Sequence, residues 1–174
     1  MTWMGVLVLG LAAQAPDAAP NAKDFVYLSD VVYGISKYQL DYGKMLGLDA
    51  TSYPLWPKAV PGDPLSIAGK SYAKGVGASP GEIVLVLDGE YAAFEAEVGI
   101  QTGDEGTAVF VVTVDGQRRF ESGEMKGGDA AKPVRVSLAG AQRMSLTTSS
   151  GVRANWADAR LIRATGVAAV EAPD

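Results

Sequence analysis

The chain contains no histidine and no cysteine, so any chemistry it performs must come from carboxylates, amides, Lys, Arg and aromatic rings. That excludes a Ser-His or Cys-His nucleophilic couple, a disulfide framework, and the imidazole or thiolate sites that hold zinc. Among what remains, Asp104 and Glu105 stand together between Gly103 and Gly106. A loop carboxylate pair can accept hydrogen bonds from sugar hydroxyls or join a calcium site, which takes about six to eight oxygen ligands. A solvated hairpin tip would account for the pair equally well. Asp129 and Lys132 lie between Gly128 and Pro133, where an Asp ordinarily bonds nearby backbone amides in a turn. Trp56, between Pro54 and Pro57, and Tyr53 belong to a Pro- and Gly-rich stretch, residues 29–63, that also holds Tyr33, Tyr38 and Tyr42. Pyranose rings stack their C–H faces on such side chains. The alternative is that the rings pin a long loop to its own domain, as in an Ω-loop.

Two further patterns are decoys or architecture. Gly69-Lys70-Ser71 ends like a phosphate-binding loop, but Pro64 occupies the position that needs the first glycine. A hydrolase working with carboxylates alone would need two carboxyls about 5–9 Å apart in a cleft, a distance no sequence states. Gly75 and Gly77 are expected at a tight bend between strands.

The elements that must position these residues read as strands. Residues 82–87 are a short, nearly continuous apolar run ending at Asp88-Gly89, which fits a buried sandwich strand. Phe94, Ala96, Val98 and Ile100 alternate with Glu95, Glu97 and Gly99, the pattern of a half-buried strand. Thr107–Val114 is rich in β-branched residues and runs through Asp115-Gly116 into Gln117–Glu121, a strong hairpin signal. Val134, Val136 and Leu138 alternate with Arg135 and Ser137, and Arg143–Thr148 places Met144 and Leu146 inward. Short strands at this spacing predict an all-β fold, a sandwich or jelly roll.

At 174 residues with a net charge of −5, the chain suits one domain, and its Lys and Arg are spread rather than clustered. No nucleic-acid partner is expected, because that needs a basic stripe. No membrane span is expected after residue 20, where no apolar run approaches the roughly 20 residues required. Residues 1–15 read as a signal peptide: an apolar block followed by the small-x-small pattern Ala13-Gln14-Ala15, although Met1-Thr2-Trp3 lacks a basic residue. A buried N-terminal strand is the alternative. Residues 16–23 then form a linker, 24–164 the folded domain and 165–174 a small acidic tail.

Four segments together resemble the NPCBM family of carbohydrate-binding modules: Tyr27-Leu28-Ser29-Asp30, the run from Pro64 to Gly77, Gly127–Val134, and Asn155-Trp156-Ala157-Asp158-Ala159-Arg160-Leu161. The resemblance covers about residues 25–163 and implies a jelly-roll β-sandwich of galactose-binding-like type. It also implies non-catalytic binding of a glycan or polysaccharide by a secreted or periplasmic protein, partnered by a glycoside hydrolase or a cell-surface protein. In the motif, Trp156, Asp158 and Arg160 are expected to be architectural. Trp156 would lie in or beside the core, sharing a face with Asp158 if the segment is extended, and Asp158 would be tied to backbone or to Arg160. Ligand binding falls to Trp56, Tyr53, Asp104, Glu105, Asp129 and Lys132, with Ca2+ at Asp104 and Glu105 as the one cofactor considered. The family often carries a His after Lys74-Gly75-Val76-Gly77, an Asp-His pair where this chain has Arg153-Ala154-Asn155, and acidic residues where it has Gln101 and Thr102. All three departures lie in polar loops, so the resemblance carries the fold further than the ligand. The other reading is a structural or protein-interaction sandwich that has lost sugar binding.

Overall fold

A computed structural model of the chain describes residues 24–31, 46–52, 62–78, 80–150 and 152–165. In chain order the elements are β1 (Phe25–Tyr27), α1 (Leu28–Val31), β2 (Gly47–Leu48), β3 (Ser66–Ile67), β4 (Lys70–Ser71), β5 (Gly75–Ala78) and β6 (Gly81–Val86). They continue with β7 (Tyr91–Ile100), β8 (Thr107–Val114), β9 (Gln117–Glu121), β10 (Met125–Lys126), β11 (Lys132–Ser137), β12 (Arg143–Ser150) and β13 (Ala154–Arg163). One sheet runs β11-β7-β13-β5-β2 with β1 also on β13; the other runs β10-β8-β12-β6 with β9 also on β8. The two pack face to face, and β3–β4 is a separate hairpin.

The alternation read along the chain is what builds this sandwich. Phe94, Ala96 and Val98 of β7 meet Phe110, Val112 and Leu146 of the opposite sheet in one core. Asp115-Gly116 adopts left-handed backbone at both positions, φ 46° and 78°, the turn whose twist matches a two-residue hairpin. Ala68-Gly69 does the same between β3 and β4, φ 47° and 82°, so the Gly69-Lys70-Ser71 decoy is a hairpin and not a strand-to-helix unit.

Three expectations need correction. In β6 only Ile83 and Leu85, with Leu87 just beyond it, are buried, while Val84 and Val86 are half-buried. The sheet packs on the other through one face only, so residues of the second face stay half-exposed, as they do in the central strand β8. Gly75 and Gly77 do not form a bend: they lie inside β5, fully buried. A Cβ on Gly77 would stand 2.3 Å from the Ser52 nitrogen and 2.4 Å from the Ala50 oxygen, so the glycine lets the 50–52 backbone lie directly on the sheet. Finally, Trp156 and Asp158 do not share a face. The β13 register shifts between Ala157 and Arg160, and Asp158 sits in that bulge at φ 47°. The extra residue resets the alternation, so Ala159 and Leu161 follow Trp156 into the core.

Trp156 is the centre of that core, with no exposure. It touches Phe94 of its own sheet at 6.1 Å between centroids and Phe110 of the other at 5.3 Å, edge to face. Its indole N–H donates to Thr148 Oγ1 at 3.0 Å, which answers the polar cost of burying the ring. Arg160 does not pair with Asp158: its Nε and Nη2 reach Glu95 at 2.9 and 2.8 Å. Asp158 is tied through its backbone, its N–H donating to the Lys74 carbonyl at 2.9 Å.

Candidate functional site at one end of the sandwich

β7, β8, β12 and β13 are long and antiparallel, so their connections collect at two opposite ends. At one end meet the loop 101–106, residues 152–153, the turn 127–131 and the segment 62–66. Arg153 joins them. Its Nε and Nη2 donate to Asp104 Oδ2 and Oδ1 at 2.9 and 2.5 Å, and its backbone N–H reaches Oδ2 at 3.2 Å. Its Nη1 donates to Asp63 Oδ2 at 2.7 Å. The guanidinium holds the Asp104 carboxyl below its ordinary value, and Asp104 in turn pushes the Arg153 value up. One cation is therefore clamped between two carboxylates.

Beneath the clamp is a buried amide pair. Gln101 Oε1 accepts from Asn155 Nδ2 at 2.6 Å and from the Ser66 N–H at 3.2 Å. Gln101 Nε2 donates to the Pro64 carbonyl at 3.1 Å and Ser66 Oγ at 3.0 Å. Asn155 sits in a row of the sheet between Gly77 and Gly99, and those glycines leave room for the covering segments: Ile67 lies on Gly99 and Thr51 on Gly77. The Thr51 N–H donates to the Asp63 carbonyl at 2.9 Å. Ser52 and Gly62, which bracket residues 53–61, are thus held beside Asp63. Tyr53 and Trp56 themselves lie outside the described residues.

Asp104 and Glu105 occupy the same end but do not act as a pair: Glu105 is exposed, while Asp104 has only 18% side-chain exposure and gives both oxygens to Arg153. This donor set does not fit calcium, because a guanidinium stands where the cation would bind and no group of three carboxylates among the described residues is placed to hold a metal ion. Asp129 and Lys132 are near, since the Gly127 N–H bonds the Gly106 carbonyl at 3.0 Å. Both are engaged locally. Asp129 Oδ2 accepts from the Lys126 N–H at 2.8 Å, the turn chemistry expected, and Lys132 donates to the Ser122 carbonyl. Sequence reasoning missed Arg153, Asp63, Gln101 and Asn155 as parts of this site. Arg153 and Asp104 are 49 positions apart, and no local pattern links them.

A sandwich of these two sheets, with polar loops gathered at one end, has the architecture of the galactose-binding-like class. The NPCBM/NEW2 domain model matches residues 26–162, and the chain belongs to that family: it is a carbohydrate-binding domain. It is similar to the CBM51 module of a Clostridium perfringens GH95 protein, solved in complex with methyl-galactose, at 28% identity and a TM-score of 0.65, covering 79% of this chain and 99% of that one. Its fold also matches the tandem CBM51 modules of Sp3GH98, the family 98 glycoside hydrolase of Streptococcus pneumoniae SP3-BS71, at 22% identity and TM-score 0.65, over 83% of this chain and 48% of that one. A Renibacterium salmoninarum protein that carries the name of an endo-alpha-N-acetylgalactosaminidase is 35% identical over 118 residues, 63% of this chain. The chain spans only 8% of that relative's length.

Proposed function

We propose that this domain binds a neutral, galactose-type sugar without catalysis, at the end where Arg153 is clamped between Asp63 and Asp104. The clamp is the observation that carries the reading. Arg153 offers N–H donors to a sugar hydroxyl, and Asp63, with 68% side-chain exposure, accepts from another; adjacent hydroxyls are recognised by such donor–acceptor pairs. Tyr53 and Trp56 are the rings proposed to stack on the sugar, and the segment that carries them is bracketed by Ser52 and Gly62, which are held beside Asp63. Glu105 lies on the rim, while Asp129 and Lys132 shape the neighbouring turn. The galactose type is supported by the methyl-galactose complex of the GH95 module and by the galactosaminidase name of the curated relative.

The domain would serve an exported protein, tethered to a glycoside hydrolase or a cell-surface protein, as the apolar block before Ala15 and the company of its relatives suggest. N-terminal sequencing from the native host should begin near Pro16; an intact Met1 on mature cytoplasmic protein rejects export. The sugar site is tested by calorimetry with methyl galactoside. Trp56→Ala should weaken binding by about 1–2 kcal/mol, several-fold or more, with little loss of fold, and Asp63→Ala should weaken it comparably. If a confirmed glycan binds these variants and Asp104→Ala as well as wild type, the site is elsewhere.

A further inference from the structure

We propose a second subsite, at the opposite end of the sandwich, that takes a negatively charged sugar: a pyranose bearing a carboxylate or a sulfate ester. The saccharide half of this rests on the family's function; the choice of an anion rests on the residues. Between the edge strands β9 and β11, which belong to opposite sheets, lies a cleft of about 400 Å³, within the size range of small-ligand sites. Val114, Val136 and Ala141 form its apolar floor, and Arg119 and Arg135 stand on its rim with Ser137.

The charge balance around the cleft is positive. Arg119 has no carboxylate partner among the described residues. Arg135 shares Glu95 with Arg160: Glu95 Oε2 is taken by Arg160, and Oε1 receives only Nη1 of Arg135. Two guanidinium groups thus face one carboxylate, and Arg135 remains 71% exposed. The carboxylate that does line the cleft, Asp115, is committed to backbone amides, accepting from Gln142 at 3.1 and 3.2 Å and from Arg143 at 2.8 Å. The turn at Ala139-Gly140 closes through the Ala141 N–H to the Leu138 carbonyl at 2.9 Å, so the two central amides are outside the turn's own hydrogen bond. Forked arginines beside backbone amides suit a planar carboxylate or a sulfate. The Arg153 end has the reverse balance, with Asp63, Asp104 and Glu105 around one arginine, and disfavours an anion there.

The test is to titrate the full chain with methyl glucuronide and galactose 6-sulfate, each against its uncharged parent sugar, following backbone amide signals by NMR. The charged sugars should shift the amides of Arg119, Ser137 and Gly140, and weaken several-fold between about 50 and about 300 mM salt, as exposed ionic contacts do. Arg119→Gln should weaken them about tenfold and Arg119→Lys less, with methyl galactoside binding unchanged at the Arg153 end. The proposal is overturned if the charged sugars shift this cleft no more than their parents do, or if Arg119→Gln binds them as wild type does. Inorganic sulfate binding as tightly as the sulfated sugar overturns the saccharide half. Loss of methyl galactoside binding in wild type would reject the neutral site alone and leave the outcome at this cleft to stand.

Discussion

Trp156 and Arg153 are three positions apart and do opposite work. Trp156 is fully buried and bridges the two sheets through Phe94, Phe110 and Thr148. Replacing it with Ala should cost about 3–5 kcal/mol in urea unfolding. Trp156→Phe keeps most of the packing but strands Thr148 Oγ1, and should cost about 1–3 kcal/mol. Arg153 is half-exposed and polar, and its signature is acid sensitivity. The Asp104 carboxyl lies below its ordinary 3.8 in the folded protein, chiefly because it bonds Arg153. A depressed folded value contributes stability that is present above the unfolded value and is lost as pH falls through the folded one. Stability should therefore decline below about pH 4, and Arg153→Gln should flatten that part of the curve. Glu97, held low by Tyr72 and Lys70, titrates in the same window. The measurement is thus the difference between wild type and Arg153→Gln, and identical slopes would reject the clamp.

At the scale of elements, glycines separate two physical effects. Gly116 is at φ 78° in an open hairpin turn, where an added Cβ would meet nothing within 4 Å. Gly116→Ala meets only backbone strain, about 1 kcal/mol, and should leave glycan affinity alone. Gly77→Ala meets the 50–52 backbone at 2.3–2.4 Å, and backbone cannot swing aside as a side-chain end can. It should cost about 1–3 kcal/mol or more. It should also weaken glycan binding, because the displaced segment leads to Ser52 and the Asp63 carbonyl. Equal thermal and calorimetric behaviour of the two variants would contradict this arrangement.

For the whole molecule, the two proposed sugar sites lie at opposite ends of the sandwich. β13 runs from Ala154 beside the clamp to Arg163, whose N–H bonds the Asp24 carbonyl at 2.7 Å. Ten extended residues span about 33 Å. Asp24 and Arg163 therefore lie together at the end far from Asp104, and under the proposed function a neighbouring domain on either side would leave the neutral-sugar site facing outward. Fusing a bulky, well-folded protein to either side of residues 24–164 should leave methyl galactoside affinity unchanged, as read by calorimetry. A loss of more than about tenfold, 1.4 kcal/mol, would place the neutral site near the tether.

Period-two alternation of apolar residues and the Asp115-Gly116 turn were sufficient to read the strands, because side-chain direction along a strand is a local property. The turn role of Asp129 was legible for the same reason, since it depends on Lys126 three residues away, whereas the burial of Trp156 was expected only from the family motif, its partners Phe94 and Phe110 being distant in the chain. What the tertiary structure decided is non-local. The bulge at Asp158 moves that residue off the face of Trp156, since register is set by the partner strands as well as by the segment itself. Gly75 and Gly77 look like a bend until the 50–52 backbone is seen lying on them. Asp104 looks like half of a carboxylate pair until Arg153, 49 positions further along the chain, closes on it. A chain without histidine or cysteine can be read as a sandwich from its own pattern; which of its charges meet is determined only when the loops are brought to a common end.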